Sequence, residues 1–260
     1  MGQAKRRKST GQQGSGGRKQ RQPGLIIIAV LAVVSMVIAG LWWITQPPAP
    51  TSSALPDVAE GTAPFPAQFD SVGISLGDAN APVVVREFAD YQCPACARFS
   101  TATDQLREKW VETGKVRFVF FELPLPQHDN AVPAAMAARC AGDQGKFWEM
   151  HGQLFDHQSE WNTTGETQGM FTRYAEELGM DGRRFGRCLG TDLHREAIDQ
   201  SLALSKQLRV TSTPTVYVDN IKLTQPGWAQ LSAVVMRELA SYRIAVAAIL
   251  YRLLSQVLWS

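Results

Sequence analysis

Cysteine and histidine are scarce in this chain, four of each in 260 residues. Cys93-Pro94-Ala95-Cys96 uses two of the cysteines, and the other two, Cys140 and Cys188, lie far from it and from each other. With His128, His151, His157 and His194 they offer no second ligand pair at short spacing, which disfavours a structural zinc site, because such a site wants four donors. Acidic residues are missing from positions 1–24, which carry Lys5, Arg6, Arg7, Lys8, Arg18, Lys19 and Arg21. The net charge of +2 therefore divides into a basic tail and a remainder with 19 basic against 24 acidic side chains, net −5. The tail also lacks aromatics and is rich in Gly, Gln and Ser, so it has no stacking platform for bases, and no nucleic-acid partner is expected. Charge is absent over the twenty residues from Leu25 to Ile44, a length that crosses about 30 Å of hydrocarbon. No internal repeat is present.

A secretory signal has a shorter apolar core, roughly 7 to 15 residues, with a small-residue cleavage site close behind it. Here Ser52-Ser53-Ala54 lies well beyond the apolar run, so 25–44 is expected to remain as one transmembrane helix. By the positive-inside rule residues 1–24 stay cytoplasmic, Trp42 and Trp43 sit at the outer interface, and the rest of a single-pass cell-membrane protein faces outward. Residues 45–70, rich in Pro, Ala, Ser and Thr, read as an extended linker too short to hide another domain. Disulfides persist outside the reducing cytosol, and an even number of cysteines suits them.

Cys93-Pro94-Ala95-Cys96 is the segment richest in chemistry. A β-type run precedes it and an amphipathic helical pattern follows, so Cys93 falls at a helix N-terminus. There, free N–H groups and the positive end of the helix dipole stabilise an anion, and a thiol pKa falls from about 8.5 to between roughly 3.5 and 7.5. Cys93 is therefore the expected nucleophile. Pro94 suits the first turn, where a missing N–H costs little, and Cys96, one turn in, is the expected buried resolving thiol. On the residues alone, a pair of metal ligands or two inert thiols remain open alternatives.

Strand 82–88, a helix from 94 to about 113 burying Phe99, Ala102, Leu106 and Trp110, and strand 115–123 form a βαβ unit, for which a right-handed crossover is expected. Helical periodicity then runs from about 130 to 208, with breaks near Gly142, Thr163-Thr164-Gly165 and 179–182, as four or five short helices inserted between two halves of a sheet. Strand character returns at 215–218, turns at Asp219-Asn220 and resumes at 221–223, and Pro226-Gly227 opens a helix from about Trp228. Residues 244–260 are apolar with Arg252, Ser255 and Gln256 on one face, and read as a separate amphipathic helix docked on the domain or lying at the membrane surface. The folded domain is thus 71–243, with its helical insertion at about 127–208.

Three separated signals in this order resemble the DsbA-like thiol–disulfide oxidoreductases. They are Glu87-Phe88 leading to Cys93-Pro94-Ala95-Cys96, the run Gly145-Lys146-Phe147-Trp148-Glu149-Met150-His151, and Thr211-Ser212-Thr213-Pro214-Thr215 entering a strand. The likeness covers about residues 75–242 and implies an α/β, thioredoxin-like fold with an inserted helical subdomain. It implies a cis bond before Pro214 facing the dithiol, leaving the Thr213 backbone free to pair with an extended substrate; a trans proline at a strand start is the plainer alternative. It implies a partly buried acid at Glu87 that takes a proton from Cys96, against an exposed strand glutamate. Some members have a second disulfide in the insert, which makes Cys140 and Cys188 a candidate structural bond worth about 2–5 kcal/mol, against free buried thiols. The best-known members carry histidine where Ala95 stands, so the direction of electron flow is left open.

The expected activity is oxidation of thiols in exported proteins by the Cys93–Cys96 disulfide. A monomer that needs neither metal nor organic cofactor is expected, and the resemblance implies recycling by a quinone-linked membrane oxidase. The same dithiol run backwards gives a reductase or isomerase, although a dedicated isomerase usually brings a dimerisation domain. A metal-binding or metallochaperone module on this scaffold, and a non-catalytic chaperone using the insert as an apolar groove, are the other readings.

Overall fold

The computed structural model describes residues 55–58 and 63–258, with side chains to 252, together with Ala32 and 34–36, which are helical. Apart from those four positions, the basic tail 1–24 and the expected transmembrane helix 25–44 lie outside the described residues. Among the described residues no helix is long and apolar enough to cross a membrane.

A 3-10 turn at Ala67–Val72 leads into β1 (Ile74–Leu76) and β2 (Val83–Ala89). Then come α1 (Pro94–Leu106), closed by a π-helical turn at Arg107–Val111, and β3 (Val116–Glu122). Six helices follow: α2 (Ala131–Gly142), α3 (Phe147–Asp156), α4 (Gln158–Trp161), α5 (Thr167–Glu177), α6 (Gly182–Leu189) and α7 (Arg195–Gln207). The chain returns through β4 (Thr215–Val218) and β5 (Ile221–Lys222) to α8 (Trp228–Leu258). One sheet has the order β1-β3-β2-β4-β5; β2 and β3 are parallel and every other pair is antiparallel.

The central strands Val83–Ala89 and Val116–Glu122 read as continuous rather than alternating apolar runs because both faces of the sheet are covered. Val83, Val85, Phe118 and Phe120 point into the main core with Phe99 and Leu106 of α1, Trp110 of the π-helical turn and Leu231, Val234 and Val235 of α8. Phe88, Val119 and Phe121 point the other way, against Leu204 of α7 and the segment carrying Phe65, Phe69 and Val72. The insertion exceeds the expected four or five helices because two further breaks, at His157 and over 190–194, divide it. A disulfide joins Cys140 of α2 to Cys188 of α6.

Two boundaries and one strand differ from the sequence reading. The linker does not extend to residue 70. Asp70 is buried, and its carboxylate receives Arg86 Nε at 2.6 Å and Nη2 at 2.9 Å, and Arg117 Nη2 as well. Phe65 lies under the Arg86 guanidinium, 4.3 Å from ring centroid to carbon, and its N–H donates to Asn220 Oδ1. Composition marks this stretch as linker; one carboxylate facing two cations makes it part of the domain. Secondly, β1 is too short for periodicity to reveal. It is held by Gly77 at φ +98°, where a Cβ would lie 2.8 Å from the Val116 carbonyl oxygen. Thirdly, 244–260 is not a separate docked helix. α8 runs through Arg243-Ile244 without a break, since nothing there interrupts helical backbone, and Ile244, Ile249 and Tyr251 are exposed.

Replacing Asp70 by Ala leaves Arg86 buried without its carboxylate, and the expected loss is about 3–5 kcal/mol in urea unfolding. For the disulfide, which closes 48 residues, Cys140→Ala with Cys188→Ala is expected to cost about 4 kcal/mol in the same measurement.

Candidate active site

β2 delivers the chain to Asp90, whose backbone and side chain shape the turn before α1. The Cys93 N–H donates to the Asp90 carbonyl at 3.1 Å, and the Gln92 N–H donates to Asp90 Oδ1 at 2.7 Å. The buried Asp90 carboxylate also accepts from the Leu125 N–H and pairs with His128 Nδ1, both at 2.7 Å. Cys93 is thereby set as the N-cap of α1 with Pro94 in the first turn, and its carbonyl accepts from Cys96 N–H and Ala97 N–H at 3.0 and 3.2 Å.

The helical insertion grips the same turn from the other side. Gln158 of α4 donates through Nε2 to the carbonyls of Tyr91 at 2.6 Å and Cys93 at 3.0 Å. Gln92 donates to the Asn162 carbonyl and accepts from the Asn130 N–H. Tyr91 Oη lies 3.0 Å from His151 Nδ1, inside an aromatic cluster with Phe120, Phe147, Trp148 and Phe155. Burial pushes His151 down to about 3, so this imidazole is neutral at physiological pH.

Cys93 and Cys96 are both thiols, 8% and 0% exposed. The Thr213–Pro214 bond is cis, and the Thr213 carbonyl oxygen lies 3.7 Å from Cys93 Sγ. The Thr213 hydroxyl is also buried, and it is through this side chain that Thr213 acts on the Cys93 thiol. The two thiols are driven apart in acidity. The Cys96 S–H donating to Cys93 Sγ is the largest influence holding the Cys93 thiol down at about 5, aided by Thr213 and the N–H groups of Cys96 and Ala95 against the opposing effect of burial. Burial pushes Cys96 far up, and the shared proton and the nearby Glu87 add to it.

Glu87, 2% exposed, points to the same side of β2 as Val83 and Val85, beneath α1. Desolvation raises its carboxyl to about 8, and the Thr103 hydroxyl, 3.3 Å from Oε2, partly offsets that. Thr103 lies seven residues after Cys96, two turns along the same face of α1. The structure thus brings Cys93, Cys96, Glu87, Thr213 and Pro214 into one site. Cys140 and Cys188 are bonded within the insertion, and no hydrogen bond around Cys93 reaches them. Asp90, Gln92, Thr103, Asn130 and Gln158 were not identified from sequence. Asp90 carried a usable signal, as a turn-forming Asp two residues before a backbone N–H that its side chain can bind.

Ala95, Arg98, Phe99, Pro214, Pro226 and Trp228 line a groove of about 290 Å³ beside the dithiol. Among the described residues no third Cys, His, Asp or Glu completes a metal site with Cys93 and Cys96.

A family model described as thioredoxin matches residues 70–237. Over 170 residues the chain is 38% identical to "Na(+)/H(+) antiporter NhaA 3" of Salinispora tropica, a match that covers 65% of this chain and 25% of that protein. The chain thus spans about a quarter of the length of that curated relative. It is 29% identical over 169 residues to "Probable disulfide bond formation protein D" of Bacillus anthracis, 64% of this chain and 77% of that protein. Its fold is similar to that of oxidised BdbD from Bacillus subtilis, with a TM-score of 0.60 and 23% identity over 65% of this chain and 94% of that one.

The raised Glu87 pKa has a stability consequence with a definite sign. Below about pH 4.5 the carboxyl is protonated folded or unfolded and costs nothing; above that, folding must hold a proton the unfolded chain gives up, until the folded value near 8 is passed. Glu87→Gln is therefore expected to be neutral for stability at pH 4 and stabilising at pH 7, by on the order of 3 kcal/mol in chemical denaturation. An equal effect at both pH values would refute the buried, proton-holding carboxyl.

Proposed function

The chain belongs to the thioredoxin family, residues 70–237 forming a thiol–disulfide oxidoreductase domain, and on that premise we propose that it is an oxidase that introduces disulfides into exported proteins. In this reading residues 25–44 anchor a monomer in the cell membrane, with the tail 1–24 cytoplasmic and the domain outside. The observation that carries the direction of electron flow is the gap in acidity between Cys93, held down at about 5, and buried Cys96. Holding Cys93 as a thiolate stabilises the reduced form, which raises the reduction potential by on the order of tens of millivolts at neutral pH. The name of the Bacillus anthracis relative supports the same direction.

The reaction follows from the geometry. A substrate thiolate, its segment extended beside the Thr213 backbone and the 290 Å³ groove, attacks Cys93 Sγ of the Cys93–Cys96 disulfide. The S–S bond breaks, and the electron pair goes to Cys96. That sulfur is fully buried and holds a proton strongly, so it leaves as a thiol, taking its proton from Glu87, which is mostly protonated below pH 8. A second substrate thiolate then attacks the substrate sulfur of the mixed disulfide and expels Cys93 as a thiolate, a good leaving group because its pKa is low. Two electrons move from substrate to enzyme, and Glu87 recovers its proton from solvent. Run in reverse, the same carboxylate takes the proton from Cys96 as it attacks. Reoxidation by a quinone-linked membrane oxidase completes the cycle.

The equilibrium reduction potential of the Cys93/Cys96 pair tests the direction. A value near about −120 mV supports the oxidase reading; one near about −270 mV, thioredoxin's, would overturn it in favour of a reductase. Alkylation of Cys93 is expected to show a midpoint near pH 5. Given a substrate that carries a disulfide, Cys96→Ser is expected to accumulate mixed disulfides through Cys93 on non-reducing gels, and Cys93→Ser to form none.

A further inference from the structure

We propose that Cys140, Cys188, His194 and Asp143 form a redox-gated zinc site, in which reduction of the disulfide exposes a ligand set that a zinc ion then closes. This assignment is independent of the oxidase reading. Cys140 lies in the last turn of α2, and Asp143 follows that helix directly; Cys188 lies in the last turn of α6, and His194 ends the loop before α7. Two helix ends therefore each present a cysteine and, a few residues on, a second donor, as Cys-x2-Asp and Cys-x5-His. Scanning for Cys and His alone leaves Asp143 out, and Cys188-x5-His194 mixes ligand types at a wider spacing than a usual zinc cysteine pair, so both escape the sequence reading.

The two sulfurs and a His194 ring nitrogen lie within 4.8 Å of one another. His194 Nε2 is 2.9 Å from Asp143 Oδ2, and the same oxygen is 3.6 Å from Cys188 Sγ. A disulfide sulfur has no proton to donate, so this last contact is a close approach of donor atoms and not a hydrogen bond. Tetrahedral zinc with Zn–S near 2.3 Å and Zn–N or Zn–O near 2.0–2.1 Å separates neighbouring donors by about 3.3–3.8 Å. The His–Asp and Asp–Cys188 spacings are already close to that range. The sulfur–sulfur separation is the one edge that must lengthen, and it does so once the bond is broken.

The surroundings suit an ion. Cys140 is buried, Cys188 and His194 are half-buried and Asp143 is exposed, so the site has walls and an entrance. Two thiolates and a carboxylate bring three negative charges against the ion's two. Arg184, whose Nη2 donates to the Asp143 carbonyl at 2.9 Å, supplies a nearby positive charge, and Thr191 fixes the loop by donating to the Cys188 carbonyl. Thiolate with imidazole favours zinc over the hard cations.

The steps balance. A dithiol gives two electrons and two protons to the Cys140–Cys188 disulfide and becomes a disulfide itself. Zinc then displaces both thiol protons to solvent. While the disulfide is intact there are no thiolates and no zinc binds. Zinc thus takes over from the covalent bond as the clamp between α2 and α6.

The test uses the full chain with Cys93→Ser and Cys96→Ser, so that no other dithiol is present, reduced and desalted under argon. Co2+ alone is titrated first, then Zn2+ in competition. The expected result is one ion per chain, with a thiolate-to-cobalt charge-transfer band and the intense visible bands of tetrahedral cobalt, and none in the unreduced protein. His194→Ala and Asp143→Ala should each weaken binding at least tenfold. The proposal is overturned if the reduced protein gives no charge-transfer band, if the unreduced protein binds equally, or if the His194→Ala, Asp143→Ala double variant binds unchanged. Should the reduced metal-free chain unfold, Zn2+ is expected to restore its far-ultraviolet circular dichroism in the parent and not in the double variant. Failure to restore the parent would sink the proposal as well.

Discussion

Two adjacent charged side chains on the central strand β2 set the terms for this structure. Arg86 and Glu87 point to opposite faces of a sheet covered on both sides, and neither reaches water. The fold accommodates them in different ways. Arg86 stays charged and is matched by Asp70, which brings residues 65–72 onto the sheet and covers Phe88 and Phe121. Glu87 has no cation beside it and takes up a proton instead, its carboxyl raised to about 8. A buried ion pair and a buried neutral acid are the two states a low-dielectric interior tolerates, and β2 uses one on each face.

In the proposed reaction the neutral acid is the proton source. If Glu87 were paired with a cation as Arg86 is with an anion, its pKa would fall, and it would have no proton to give to Cys96 near neutral pH. Its isolation is produced by packing: Val83 and Val85 lie on the same face of β2, Phe120 is its parallel neighbour, and Val216 is opposite it on β4. The Thr103 hydroxyl supplies the one polar contact. The same apolar wall excludes water from Cys96, so acid and thiol are desolvated together, and Cys93, at the helix N-terminus and edged toward solvent, is left as the group that ionises.

How much of this was readable in the sequence depends on the range of the interaction. Cys93 as helix N-cap, Pro94 in the first turn and the buried face of α1 are local matters of spacing, and the structure has them where spacing puts them. The burial of Glu87 was not decided by alternation, because in a strand covered on both sides parity tells which face a residue takes but not whether that face meets water. The cis Thr213–Pro214 bond, 120 residues from Cys93, and the Cys140–Cys188 bond, which spans 48, were implied by resemblance. Asp70 with Arg86, and Gln158 with Cys93, carried no resemblance and no periodic signal. Each is a single polar residue whose meaning lies in a partner 16 or 65 positions distant.

Those distant contacts also answer the question raised by Ala95. In its place the best-known relatives of this kind have histidine, whose positive charge would stabilise the Cys93 thiolate. Here that stabilisation comes from groups that carry no charge: the Cys96 thiol, Thr213, and the N–H groups of Ala95 and Cys96. Neutral donors act only at hydrogen-bond range, so they stabilise an anion only if the turn holds them in place. Gln158 on the Tyr91 and Cys93 carbonyls, Gln92 between Asn130 and Asn162, and Asp90 across to Leu125 and His128 provide that holding, all but Asp90's own turn reaching out to the segments around the insertion. The helical insertion is therefore part of the electrostatics of the dithiol. Without an imidazole between the cysteines, the acidity of Cys93 depends on how firmly a separate set of helices grips the turn that carries it.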